Sequence, residues 1–296
     1  MKLKSLMAGL LIATATTSFA AESCLGGGNS KVSTGQVEKA LAPIIGNAKV
    51  VSVSDSPISG IYEVVIDAGG RKVPVYMDCN LKYLINGEII DINKKVSLTR
   101  EKVQALQSQA NSEKETKLAN LIGKDKVEVL KKEGLIEYIN FVNTSNIPQS
   151  NITYGNGKTK VYVVTDPQCP FCAKLHREVE KILANRKDVS FEMILYPLPF
   201  HKNAQGISEN IVCQKDNSQK QQILNKAFES VSKGDENGLK SIEKSCDSGK
   251  SVVTKNIEFA KSVGINGTPT IIFPKGVAIS GALPAETLNK LIDAFK

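Results

Sequence analysis

Residues 160–172 read Lys160-Val161-Tyr162-Val163-Val164-Thr165-Asp166-Pro167-Gln168-Cys169-Pro170-Phe171-Cys172, and this stretch decides how the rest of the chain is read. Lys160–Thr165, dominated by β-branched and aromatic side chains, is a buried strand. Pro170 suits the first position of a helix, where its fixed φ fits and its missing N–H costs nothing. Cys169 then becomes the N-cap, facing unpaired backbone N–H groups and the positive end of the helix dipole. A thiol so placed falls from a pKa of about 8.5 to roughly 3.5–7.5. Cys172 lies one turn inside the helix, less exposed and positioned to attack a mixed disulfide formed on Cys169. Cys169 is therefore the candidate nucleophile and Cys172 the candidate resolving thiol.

Other chemistries ask for residues this stretch lacks. Haem attachment needs a histidine directly after the second cysteine, where Ala173 stands. A zinc site needs more ligands than His176 and His201, the only histidines, can add. A structural disulfide across two residues is strained. No metal and no cofactor is expected, and His176 reads as a surface residue or one standing behind the reactive pair.

Outward from the pair, a helix runs to about Ala184 and Val189–Tyr196 is a second strand. Residues 201–263 are mostly helical and amphipathic. Thr270–Phe273 and Val277–Ser280 flank the turn Pro274-Lys275-Gly276, and Glu286–Phe295 closes the chain as a helix. Towards the N-terminus, residues 144–160 carry Pro148, Asn156 and Gly157 and read as a boundary. Residues 98–143 turn to Lys, Glu, Gln, Ala and Leu, giving two helices broken around Gly123, with a partial apolar stripe at Val127, Leu130, Ile136 and Ile139. The spacing predicts a solvated connector there. Upstream, a short helix from about Thr34 stops near Pro43. Lys49–Val53, Ile61–Ile66 and Lys72–Met77 alternate as strands, and Asn86-Gly87 predicts a tight hairpin between Leu81–Ile85 and Glu88–Ile92.

The start of the chain has its own logic. Lys2 and Lys4 precede an apolar run of about a dozen residues, too short to span a bilayer, and Ser18-Phe19-Ala20 offers small residues for cleavage after Ala20. Residues 21–23 lack the lipobox pattern that would make Cys24 a lipid anchor. Taking Lys2 and Lys4 from the 38 basic residues leaves 36 against 30 acidic, a net charge of +6 spread along the chain. With no dense basic stripe and few aromatics, nucleic-acid binding is excluded. Six cysteines remain after cleavage, an even number that argues for pairs in an exported protein.

Two further stretches carry a resemblance. Asp166-Pro167-Gln168-Cys169-Pro170-Phe171-Cys172 with Lys174-Leu175-His176, and Gly264-Ile265-Asn266-Gly267-Thr268-Pro269 opening a later strand, resemble the DsbC/DsbG family of periplasmic disulfide isomerases. The small N-terminal unit, joined by helix to the reactive domain, is similar too. The resemblance implies a mixed α+β and α/β fold: a thioredoxin-like domain with an inserted helical lobe, preceded by a small cystatin-like dimerisation domain and a helical linker. The expected organisation is a signal peptide over 1–20, a dimerisation domain over 21–97, a linker over 98–145 and a catalytic domain over 146–296, with the helical insertion at about 201–263. It implies a cis proline at Pro269, with Thr268 binding the extended substrate, and it matches Cys213 and Cys246 to the structural disulfide of the DsbC branch. Cys24 and Cys79 have no counterpart there. Their simplest reading is a disulfide tying the N-terminus to the small domain, worth about 4 kcal/mol by chain entropy; a second redox pair is the alternative.

The resemblance also implies a V-shaped homodimer in the periplasm, misfolded exported proteins as substrates, and a DsbD-type membrane electron donor. A DsbA-like oxidase is the competing activity, since strongly oxidising pairs have an exceptionally stabilised thiolate. Phe171 supplies neither charge nor hydrogen-bond donor, which favours a moderate poise. A chaperone-type binder of unfolded chains is the third reading.

Overall fold

The strand predicted at 160–165 lies inside a six-stranded sheet, and the alternation of its side chains explains why. In β9 (Thr159–Thr165), Val161 and Val163 point into one core and Val164 into another, so both faces must be covered. The computed structural model describes residues 32–46 and 48–296, which divide into a unit ending at Gln107 and a unit from Ser108 to Lys296.

The first unit is one helix on one antiparallel sheet. Helix α1 (Thr34–Ile45) starts with a capping box between Ser33 and Gln36. It buries Val37 and Leu41 against Val64, Val75 and Met77 of the sheet β1 (Lys49–Asp55), β2 (Ile61–Asp67), β3 (Lys72–Asp78) and β4 (Leu84–Ile85). The helix continues past Pro43, because a proline in the last turn forfeits one backbone bond while the cap and the buried face hold the rest. The hairpin expected around Asn86-Gly87 does not form. Instead β4 pairs with β3, and β5 (Ile90–Asp91) pairs with β6 (Val96–Ser97). Aspartate turns take precedence: Asp78 accepts the amides of Asn80, Lys82 and Tyr83, and Asp91 accepts those of Asn93 and Lys94.

Helix α2 (Leu98–Ile122) contains the division between the units, and Gly123 separates it from α3 (Lys124–Lys132). The stretch 98–145 is more than a solvated connector. Leu118, Val127, Leu130, Leu135, Ile136 and Ile139 are buried in the main core of the second unit, and β7 (Ile139–Phe141) is an edge strand of its sheet. Of the expected helical stripe only Val127 and Leu130 lie on α3; the helix stops at Lys132, Ile136 falls in a short 3-10 turn and Ile139 opens β7. Residues 144–160, expected as a boundary, contribute the opposite edge strand β8 (Ile152–Gly155).

In the second unit the sheet order is β7-β12-β11-β9-β10-β8, with β10 (Val189–Leu195), β11 (Thr270–Phe273) and β12 (Val277–Ser280). Strands β9 and β10 are parallel and joined through α4 (Pro170–Asn185), while the other pairs are antiparallel. On one face α4 and α9 (Ala285–Phe295) bury Leu175, Val179, Leu288, Leu291 and Phe295 against Val161, Val163, Phe191, Phe273 and Ile279. Each fully buried Phe or Leu contributes roughly 1.5–3 kcal/mol. Between β10 and β11 come α5 (Ala204–Cys213), α6 (Asn217–Lys233), α7 (Glu236–Ser241) and α8 (Asp247–Ser262). Helix α8 lies at the end of this insertion yet closes the other face of the sheet, with Phe259 and Ala260 against Val164, Ile194 and Ile272. Asn256 of α8 donates to Asn151 Oδ1 and to the Leu195 carbonyl, pinning that layer to the end of β10. No described helix is long and apolar enough to cross a membrane.

Candidate functional site

Pro170 is the first residue of α4 and Cys169 is its N-cap, in an extended conformation. Both cysteines are free and buried, at 4% and 2% exposure, so Cys169 is covered almost as well as Cys172. What separates them is hydrogen bonding at the Cys169 sulfur and burial at the Cys172 sulfur. The Cys172 thiol, followed by the Cys172 amide, the Thr268 side chain and the Phe171 amide, holds the Cys169 thiol down to about 6 against its own burial. Burial, and then the neighbouring Cys169, push the Cys172 thiol far up. Near neutral pH the first sulfur favours the thiolate and the second the protonated thiol.

The peptide Thr268-Pro269 is cis. Its loop lies against the pair: the Thr268 carbonyl is 3.5 Å from Cys169 Sγ. Between the cysteines Phe171 is 64% exposed, leaving an apolar surface beside Cys169.

Several residues around the pair carry roles that the sequence reading did not assign. Asp166 is fully buried, which pushes its carboxyl up. It is held by three donors, the amides of Gln168 and Leu198, each at 2.7 Å, and His201 Nδ1 at 2.8 Å. Gln168 accepts the Asn203 amide at 2.8 Å and donates to Asn203 Oδ1, and Asn203 in turn donates to Glu243. The turn before Cys169 is thereby tied to the start of α5. The far end of α5 is Cys213, in a disulfide with Cys246 at the N-cap of α8. Cys79 is disulfide-bonded, and Cys24 lies outside the described residues.

His176 is buried, at 6% exposure, which corrects its reading as a surface residue. Its ring packs between Tyr154 and Phe228, and both ring nitrogens lack a hydrogen-bond partner. The Glu180 carboxylate stands 3.7 Å away, too far for a hydrogen bond. Burial pushes the His176 pKa down, opposed by the Glu180 charge. A histidine kept neutral in the fold favours the native state fully above the unfolded pKa, about 6.5. Stability is then lost as pH falls below that value towards the folded pKa, by at most about 1.4 kcal/mol per pH unit. His176→Phe should flatten the decline in stability between about pH 6.5 and the acid range, read from urea midpoints across pH; an unchanged slope would contradict this.

The chain matches two family models: a thioredoxin-like domain over residues 150–296 and a disulfide bond isomerase protein N-terminal domain over residues 18–100. The thiol:disulfide interchange protein DsbC of Dickeya dadantii (strain 3937) is 24% identical over 245 residues, 82% of this chain and 81% of that protein. A solved disulfide interchange protein from Neisseria gonorrhoeae is 29% identical, covers 49% of this chain and 94% of its own, and has a TM-score of 0.38. A periplasmic thioredoxin-like protein from Salmonella enterica serovar Typhimurium is 22% identical, covering 50% of this chain and 91% of its own, with a TM-score of 0.42. The thioredoxin-like match and the DsbC relative make the protein a thiol–disulfide oxidoreductase. With one family model in each unit and a thiol:disulfide interchange relative spanning most of both sequences, the chain belongs to the DsbC/DsbG family.

Proposed function

We propose that the protein is an exported disulfide isomerase and reductase of the periplasm. Its Cys169 thiolate attacks non-native disulfides, and Cys172 resolves the mixed disulfide that forms. The observation that carries this reading is the split between the two thiols, with Cys169 lowered to about 6 and Cys172 raised. A value near 6 leaves Cys169 mostly ionised at neutral pH, yet far from the extreme of about 3.5 that marks a strong oxidant. Phe171 offers neither charge nor donor to stabilise the thiolate further. The Thr268 carbonyl beside Cys169 is placed to take part in binding an extended substrate chain.

The substrates are misfolded exported proteins, and a DsbD-type membrane electron donor keeps the pair reduced. The 1–20 segment directs export and is removed after Ala20. Cys24 pairs with Cys79 to hold the N-terminus on the small domain, and Cys213–Cys246 is a structural disulfide. The first unit makes the homodimer; exposed Tyr83, Ile85, Ile90 and Ile92 give it apolar surface to bury.

The test compares two substrates of one secreted enzyme, one with scrambled disulfides and one fully reduced. The protein should restore activity to the scrambled substrate when a small thiol is present. Catalysed oxidation of the reduced substrate without reactivation of the scrambled one would sink the isomerase reading in favour of the oxidase.

A further inference from the structure

One residue ties both cysteines to their surroundings. The backbone N–H of Asp166 points at Cys172 Sγ, 3.4 Å away, and its carbonyl accepts the Cys169 amide at 3.1 Å. Its carboxylate accepts the Gln168 amide on Oδ1, and the Leu198 amide and His201 Nδ1 on Oδ2. Leu198 and His201 belong to the segment that follows β10. The side chain thus fastens the turn before Cys169 to that segment, and this fixes where the Asp166 amide points. With three donors on it, the carboxylate is committed to holding these groups and is poorly placed to collect a proton from Cys172.

We propose that Asp166, held by His201, is a positioning residue for the resolving step. In that step Cys172 Sγ attacks Cys169 Sγ of the mixed disulfide. The Cys169–Cys172 bond forms, the bond from Cys169 to the substrate sulfur breaks, and the substrate leaves as a thiolate. The proton released by Cys172 is returned through solvent to the leaving thiolate. The pair is oxidised by two electrons and the substrate disulfide is reduced. The Asp166 N–H stabilises the negative charge that develops on Cys172 as it gives up its proton, and the locked carboxylate keeps that N–H aimed. An aimed donor of this kind acts on the second step and hardly on the first, because Cys169 draws its own stabilisation from Cys172 and the start of α4.

The inference rests on the assignment of Cys169 as attacker and Cys172 as resolver, so the experiment separates the two. Reduced protein is mixed rapidly with a disulfide-bonded peptide, and the formation and decay of the mixed disulfide are followed by quenching and mass. Cys172→Ser should accumulate a stable mixed disulfide on Cys169; if it does not, the assignment itself fails. In Asp166→Asn an amide NH2 faces other donors, and release should slow about tenfold, the equivalent of one hydrogen bond. Attack by Cys169 should stay within about threefold, and its thiolate absorbance should titrate as in the parent. His201→Gln, which weakens the hold without touching the turn, should slow release in the same direction and less. It also serves if Asp166→Asn does not fold. Release at the parental rate in the folded variants, or attack and release slowed together, would overturn the proposal even where Cys172→Ser traps as expected.

Discussion

Cys169→Ser should lower thiol–disulfide exchange by about a thousandfold or more, since no second group can replace a lost nucleophile. The fold should survive, because serine is itself a favoured N-cap and keeps an acceptor at the start of α4. The loss is therefore chemical, and circular dichroism with urea titration would confirm it. The parent protein should show the matching pH signature. Alkylation of Cys169 should reach half its maximal rate near pH 6, falling about tenfold per pH unit below that because only the thiolate reacts. The same depressed pKa adds stability to the reduced form that is present above the unfolded thiol range and lost as pH falls through about 6. A midpoint near 8.5, the value of an ordinary cysteine, would contradict the geometry at the head of α4.

The second large effect concerns the helical lobe. Replacing Cys213 and Cys246 together by alanine should cost about 2–4 kcal/mol, as expected for a crosslink across this span. The bridged residues are 33 apart in sequence and join the end of α5 to the start of α8. Space there is tight. A Cβ added at Gly249 would come within 2.7 Å of the Glu209 carbonyl and 3.0 Å of Cys213 Sγ. The start of α5 reaches the turn before Cys169 through Asn203 and Gln168, so a loosened lobe should also soften that turn. Urea denaturation of the double variant, compared with the parent, reads the loss; an unchanged midpoint would mean that packing alone holds α5 on α8.

The decisive local features were legible because their causes are local. Pro170 at a helix start, Cys169 before it and the alternation through Val161, Val163 and Val164 depend on neighbours in sequence. The extra strands were not, since β7 and β8 are short and gain their stability from pairing with β12 and β10, which periodicity cannot register. Asn86-Gly87 misled because Asp78 and Asp91 cap the competing turns with their own carboxylates. Asp166 was in view from the start, between the strand and the cysteine pair. Its role depends on Leu198 and His201, more than thirty residues away, and only the fold brings them together. His176 illustrates the same limit: its four-residue spacing from Cys172 placed it on the helix but could not reveal the aromatic walls that Tyr154 and Phe228 supply.

On the proposed function, the Cys169–Cys172 pair works as a reduced attacker on faulty disulfides. The most direct measurement is the thiol state of that pair in the exporting cell, fixed by acid and labelled with an alkylating agent that shifts mass. Both cysteines should be mostly free and labelled, while Cys213 and Cys246 should not. A pair found mostly joined as a disulfide in the growing cell would contradict it.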